Sequence, residues 1–452
     1  MTAPLLGTTV AELRRRVAGS QRDWRAASVV GAVVRDGEQV FAHGVGLADA
    51  DGGTAAGPDL QYRIGSITKT FTAVLVLALR DEGRLRLDDP LGTHLPGSRH
   101  GAITVRQLLT HLSGLQREPV GDVWWTLQPP DPEELVAGLE EAESVSAPFR
   151  RWHYSNLAYA LLGELAARLD RRTWEQSLQA RVLDPLGMTR TTVTPTAPRA
   201  VGYLTDPYAD RLHREPDLPV AGLGPAAQLW STADDLGRWA AFWADPVPEV
   251  LSADTVEEMC QPHVMWDVDA WTLGWGLGLM LMRDGDRVLA GHEGAMPGFL
   301  AAMWVRRQDR VGAVALVNST SGAQPGTLAA GLVDVVLTAE PPDPEPWTPG
   351  PPVDEAAAPL LGRWWSEGTE FVFGWHGGHL EARVVGAPAH RPPAVFAPEG
   401  DDRWRTVSGR EAGELLRVVR DGSGAVVRMH WATYGFTRDA RVFGAPGAEP
   451  AP

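Results

Sequence analysis

Ser66 and Lys69 stand three residues apart in Tyr62-Arg63-Ile64-Gly65-Ser66-Ile67-Thr68-Lys69. A hydroxyl and an amine at that interval can act as nucleophile and base if the segment is helical, because residues three apart share a helix face. The residues that follow predict the helix: Phe71, Val74, Leu75, Ala78 and Leu79 recur at helical spacing up to Arg80, and Glu82-Gly83 closes it. A serine opening such a helix also lies near unpaired backbone N–H groups that could hold a developing negative charge. Lys69 is the only lysine; every other basic side chain among the 41 is arginine. Arginine stays protonated and cannot be a base, whereas a buried lysine can shift toward neutrality. The bland alternative is a capped helix carrying a solvated lysine.

Composition narrows the field. A chain of 452 residues allows two or three domains and a sizeable core, and 44% hydrophobic with 22% charged residues is ordinary for a soluble globular protein. The net charge of −16 argues against nucleic acid and anionic membrane surfaces as partners. Scarce lysine beside abundant arginine, alanine and glycine reflects a GC-rich coding bias. No apolar run follows a basic start near Met1, so no secretory signal is expected; Ala73–Leu79, the longest strongly apolar run, is too short to span a bilayer. The expected compartment is the cytoplasm. Lone Cys260 has no partner for a disulfide or a thiolate metal site and reads as a buried spectator. No metal or cofactor is expected.

The elements that must position Ser66 come from both ends of a long segment. Ser28–Val34 and Gln39–Val45 read as a hairpin around Asp36-Gly37-Glu38, and Ala11–Arg16 as a short polar helix. Residues 84–200 read as a mostly helical lobe, with Thr104 capping Val105–Leu109, then helices at Asp131–Ala142 and Asn156–Leu169. Ser231 or Thr232 starts another helix. Strands return near Val288–Ala290, Leu300–Val305 and Val311–Asn318, and Thr327–Thr338 closes with a helix. Early and late strands around a helical middle predict one sheet built from both ends. The catalytic domain would span 1–340. Residues 341–359 form a proline-rich linker, and 360–445 a β domain with strands at Thr369–Phe373, His379–Val384, Leu415–Val419 and Val426–His430, a small barrel or sandwich.

Two further clusters could complete the chemistry. Tyr154-Ser155-Asn156 opens a predicted helix; a tyrosine near cations can lower its pKa and serve as a base, and asparagine can orient an amide, although helix starts often carry Asn for structural reasons. Gly291-His292-Glu293-Gly294-Ala295 lies beside a predicted strand, where glycines let a substrate backbone approach.

Ser66-x-x-Lys69, Tyr154-x-Asn156 and His292-Glu293-Gly294, in this order, resemble the three motifs of class C β-lactamases and penicillin-binding-protein-like serine hydrolases. Leu108-Leu109-Thr110-His111-Leu112-Ser113-Gly114-Leu115, Pro185-Leu186-Gly187-Met188 and Leu229-Trp230-Ser231-Thr232 fit as well. The resemblance covers about 25–338 and implies a mixed α/β domain with an all-helical lobe and the active site between them. It implies Ser66 as nucleophile, Lys69 as base, Tyr154 as proton shuttle, Asn156 orienting substrate and Lys69, and backbone N–H groups of Ser66 and Ala295 as oxyanion hole. Gly294 would contact substrate. His292 stands where the family usually has lysine, which replaces a fixed cation with a group mostly neutral at pH 7 and weakens a β-lactamase reading.

The β domain resembles the lipocalin-like barrel that follows this hydrolase domain in penicillin-binding-protein-type thioesterases, which release and cyclise nonribosomal peptides. There an arginine from the barrel reaches the active site, and Arg438 is the candidate for it. Trp230, Trp124-Trp125 and the strand around Trp431–Phe436 are candidate apolar walls of a peptide cleft, each also readable as ordinary core. The expected activity is acyl transfer through a Ser66 ester on a small-molecule or peptidyl (thio)ester. The leading reading is a peptide-releasing cyclase acting on a D-residue at the acyl end, with a peptide synthetase carrier domain as candidate partner. A cytosolic esterase, D-amino-acid amidase or carboxypeptidase-like hydrolase is the alternative, and a non-catalytic peptide receptor the alternative of another class.

Overall fold

Ser28–Arg35 is apolar on both faces, with Val29 and Val33 on one side and Val30, Ala32 and Val34 on the other, all buried. Such a strand belongs in the middle of a sheet covered twice. The computed structural model, which describes residues 3–441 except Val220, Ser321, Pro342, Pro344, Glu345, Ala389 and His390, places it there. Thr54–Ala55, Glu38–Asp49, Ser28–Arg35, Val311–Val317, Phe299–Arg306, Arg287–Met296, Met280–Asp284, Leu273–Trp275 and Val264–Met265 lie side by side in that order, antiparallel throughout. Val29 opposite Val317 joins the two ends of the segment in one sheet.

Helices Gly7–Trp24 and Pro325–Ala339 pack on one face, where Leu13, Val17, Leu328, Leu332 and Val336 meet Val29, Val33 and Trp304. The first of these runs well past the short polar helix expected at 11–16. Leu13 and Val17, one turn apart, give it only a narrow buried stripe in an otherwise charged sequence. The other face carries Thr68–Asp81 and Ala233–Ala244, with Phe71 stacked on Trp239 at 4.0 Å between ring centroids. Beyond them lies the helical lobe. Its helices are mostly short, among them Leu91–His94, Val105–Leu109 and Pro132–Ala137, while Asn156–Asp170 is long and buried along most of its length. The helix expected over 131–142 ends at Ala137 and continues as a 3₁₀ turn, Gly138–Glu140, where glycine weakens the α conformation.

The chain divides between residues 342 and 343 into two compact units. In the second, Gly362–Ser366, Thr369–His376, His379–Val384, Ala394–Gly400, Arg403–Ser408, Leu415–Arg420, Val426–Trp431 and Tyr434–Phe436 form a sequential antiparallel meander. Trp365 and Thr437 exchange backbone hydrogen bonds of 2.8 and 3.0 Å, which brings the last strand back to the first in a nearly closed barrel. Trp364, Phe373, Phe396, Trp404 and Phe436 fill it. Four of these strands were not expected from sequence, and the expected limit at 445 lies outside the described residues. Among the described residues no helix is long and apolar enough to cross a membrane.

Candidate active site

Ser66 sits just ahead of the helix it was expected to open. Gly65–Ile67 form one 3₁₀ turn and Thr68–Asp81 the α-helix. Gly65 has φ +50°, and a Cβ there would lie 2.6 Å from the Ala295 backbone nitrogen; a Cβ on Gly294 would fall onto the Ile64 carbonyl oxygen. Both positions therefore need glycine for the turn to approach the strand Arg287–Met296 backbone to backbone. The strand has room for that contact, because its ladder with Met280–Asp284 ends at the Met280–Gly291 pair. The turn thus meets the strand backbone to backbone at Ser66, Gly294 and Ala295, the neighbourhood from which the expected oxyanion-holding N–H groups would come.

Lys69 is fully buried, and its Nζ lies 3.0 Å from Ser66 Oγ, 2.7 Å from Asn156 Oδ1 and 2.9 Å from the Ala226 carbonyl oxygen. Burial drives its pKa well below a lysine's ordinary value, partly opposed by Glu118 and reinforced by Arg117. The partners fix where the lone pair goes. Two of the three are carbonyl oxygens that only accept, so a neutral amine spends both N–H groups on them. Its lone pair then faces Ser66, the one partner able to donate a proton.

Tyr154 lines the cleft beside Ser66. The sequence suggested a phenol with lowered pKa; the structure corrects this, since burial pushes it up, and the neighbouring Ser66 hydroxyl and Arg117 only partly offset the rise. The nearby cations lie over its ring, Lys69 Nζ at 4.8 Å and the Arg117 guanidinium at 4.9 Å from the centroid, and so stabilise the π face more than a phenolate oxygen. Tyr154 is a protonated hydroxyl at rest.

His292 lies within its strand and is buried. Its Nδ1 meets the Glu293 carbonyl oxygen, which can only accept, so Nδ1 carries the proton and Nε2 is a bare acceptor without a partner among the described residues. Burial first, and Lys69 second, push its pKa down to about 3. His111 has the opposite tautomer: the Ser155 N–H donates to its Nδ1 at 3.0 Å, leaving Nε2 protonated. Trp275 separates the two rings, 4.5 Å from His111 and 5.3 Å from His292.

Asn156 begins its helix behind the Ser155 cap and links Lys69 to a residue that sequence reading missed. Its Nδ2 donates to Glu118 Oε1 at 2.7 Å. Neither Glu118 nor Arg117 falls in a recognisable motif, and no periodicity marks them. A cleft of about 910 Å³ opens at Ser66, with Trp124, Trp152, Trp266, Trp275, Met280 and Leu300 in its walls and Arg117, Glu118, Tyr154, His292 and Glu293 as its charged or titratable members. Gly294 and Ala295 line it too. Trp275 had one sequence signal, the alternating glycines of Gly274-Trp275-Gly276-Leu277-Gly278; a Cβ on Gly276 would fall onto the Met259 carbonyl oxygen.

Two expected substrate contacts need correction. Trp230 is 2% exposed and absent from the cleft wall; it packs edge-on against Phe299, with the Arg63 and Arg199 guanidinium groups over its ring. Arg438 donates to the carbonyl oxygens of Pro359, Leu361 and Arg363 at 2.7–3.0 Å and lies 3.8 Å over the Trp364 ring. It is a clip within this unit, with three of its five N–H groups used there. Of the other tryptophans, Trp125 is 90% exposed, while Trp431 and Phe436 belong to the barrel core.

Residues 13–338 match the family model described as Beta-lactamase, and residues 353–438 one described as a domain of unknown function (DUF7586). Protein flp of Staphylococcus aureus is 24% identical over 316 residues, 67% of this chain and 62% of that protein. The chain thus spans about three fifths of the length of such curated relatives. Among solved structures, a D-stereospecific amidohydrolase from Streptomyces sp. is 25% identical with a TM-score of 0.62, covering 72% of this chain and 98% of its own. SurE, at 23% identity and a TM-score of 0.60, shares the fold over 96% of this chain and 99% of its own.

Proposed function

The chain belongs to the β-lactamase family, whose members are serine hydrolases, and from that premise we propose that it forms an acyl-enzyme on Ser66 from D-configured peptidyl esters or thioesters. The observation that carries the proposal is the buried Lys69 amine 3.0 Å from Ser66 Oγ, with two carbonyl acceptors beside it, so that in its neutral form its lone pair would face the serine. In acylation the Ser66 proton passes to Lys69 Nζ while Oγ bonds to the substrate carbonyl carbon. The oxyanion rests between the Ser66 and Ala295 N–H groups, and its collapse breaks the bond to the leaving group. Tyr154 gives its proton to a leaving atom that needs one and regains it from the Lys69 ammonium. Because burial holds Tyr154 a weak acid, leaving groups that depart unprotonated, a thiolate foremost, suit the site best. Once Lys69 has passed the Ser66 proton to the leaving group or to solvent, water or an amine attacks the ester and gives a proton to Lys69, which returns it to Ser66 Oγ as the acyl–oxygen bond breaks. A non-catalytic peptide receptor would have no use for a buried lysine of lowered pKa beside a serine.

The leading acceptor is the peptide's own amine, which makes the protein a releasing and cyclising thioesterase of nonribosomal peptides. The size and aromatic walls of the cleft support a peptide. So do the indole N–H groups of Trp152 and Trp266, buried without partners among the described residues and free to donate to peptide carbonyls. An intramolecular amine reacts at high effective concentration, so an apolar cleft that limits water favours the ring. The second reading is a D-amino-acid amidase or esterase with water as acceptor, favoured by the likeness to the D-stereospecific amidohydrolase.

Intact mass after a fluorophosphonate probe should show one adduct, absent in Ser66→Ala, with turnover reduced at least about 10³-fold. Labelling that persists in the variant would overturn the assignment. A peptidyl thioester with a C-terminal D-residue and free N-terminus should then give a product one water lighter than the linear acid. Linear acid alone, over several ring sizes, would favour the amidase or esterase.

A further inference from the structure

We propose that Glu118 forms a subsite for a primary ammonium group beside the nucleophile, so that the enzyme selects acyl donors or acceptors bearing a free amine. The proposal rests on the Ser66 acyl-enzyme reading and deepens it. Glu118 lines the cleft, and its two oxygens are used unequally. Oε1 accepts from Asn156 Nδ2 at 2.7 Å and lies 3.5 Å from Arg117 Nε. Oε2 is buried and has no partner among the described residues. A carboxylate oxygen withdrawn from water without a donor is costly, and a ligand donor that fills it is correspondingly favoured.

The surrounding charges say what kind of donor fits. Two carboxyl groups, Glu118 and Glu293, line the cleft, and its cation, Arg117, pairs with Oε1 at 3.5 Å and lies over the Tyr154 ring with its side chain 62% exposed, turned largely to solvent. His292 offers a bare Nε2, an acceptor that repels a substrate carboxylate and accepts from an N–H. Lys69 spends its own N–H groups on Asn156 and Ala226. Beside Asn156 the cleft therefore presents unfilled acceptors, one of them a carboxylate oxygen, which a positively charged N–H donor matches. Asn156 bridges Glu118 to Lys69, so an ammonium at Oε2 lies one residue removed from the base and within a short peptide's reach of the scissile carbonyl.

A donor's own α-ammonium and a separate acceptor amine share this chemistry, and two arms separate them. In the first, kcat/KM is compared for a D-phenylalanyl ester with a free amine and its N-acetyl counterpart. In the second, the N-acetyl ester is held fixed and the partition between hydrolysis and aminolysis by D-phenylalaninamide is measured. The parent enzyme should favour the amine at least about tenfold in one arm, the usual worth of a charge-assisted hydrogen bond. Glu118→Gln, which keeps an oxygen for Asn156, should bring that ratio close to unity. Glu118→Asp, which keeps the charge, should retain part of it. The ratio cancels any effect on Lys69 common to both substrates. A parent enzyme indifferent to the amine in both arms, or a Glu118→Gln ratio equal to the parent's, would overturn the subsite while leaving Ser66 acylation intact. Loss of acylation of every substrate and probe would instead count against the acyl-enzyme reading itself.

Discussion

Replacing His292 by asparagine tests the electrostatics on which the reading of the site depends. Burial and Lys69 hold this imidazole neutral, with a pKa of about 3 in the folded protein against an ordinary value of 6.5. A base whose pKa falls on folding binds more protons in the unfolded chain, so its effect on stability is absent above pH 6.5 and becomes unfavourable as the pH drops below it. Between about pH 7.5 and about pH 5 the unfolded histidine gains roughly 1.5 pH units of protonation free energy that the folded one does not, or about 2 kcal/mol. Asparagine keeps an N–H for the Glu293 carbonyl and does not titrate. Urea unfolding at the two pH values, followed by helical circular dichroism, reports the first unit, since the α-helices among the described residues lie between Gly7 and Ala339. Other histidines, His111 foremost, are also held low by burial, so the measured quantity is the difference between parent and variant. His292→Asn should lose about 2 kcal/mol less than the parent on acidification. A difference under about 0.5 kcal/mol, the usual scatter of such comparisons, would refute a neutral His292 and restore a cation to the site.

Lys69→Arg keeps the charge and removes the base, so circular dichroism should be unchanged while burst acylation falls about 10²- to 10⁴-fold; a variant with more than a tenth of parental acylation would make Lys69 an electrostatic anchor only. Arg438→Ala should lower the stability of the barrel by about 1–2 kcal/mol, discounted for partial exposure, with kcat/KM on a small ester unchanged. A selective loss of activity on peptides without loss of barrel stability would return Arg438 to a substrate role.

The order and type of the elements around Ser66 were legible because local signals fix them. Thr104 caps its helix, and Ser155 caps the helix that begins at Asn156, because a hydroxyl three residues ahead of an unpaired N–H is a local device. The lone lysine was legible for a similar reason, since its identity carries chemistry whatever surrounds it. The short strands at Leu273–Trp275 and Met280–Asp284 were missed, as were half those of the barrel, because a few residues interrupted by glycines carry too little periodicity to register. What the tertiary structure alone decided is the charge state and the use of each group. Trp230 and Trp275 are both buried, and long-range packing alone decides that Trp275 and not Trp230 borders the cleft. Tyr154 lies near two cations, yet its pKa rises, because their position over the ring and its burial matter more than their proximity. Arg438 donates to three carbonyl oxygens within its own unit. Glu118 became visible only through the contact that carries Asn156 to it across 38 residues of chain. Composition and spacing name the groups a site can draw on; desolvation and hydrogen-bond partners, which depend on chain segments far apart in sequence, determine what each group can do.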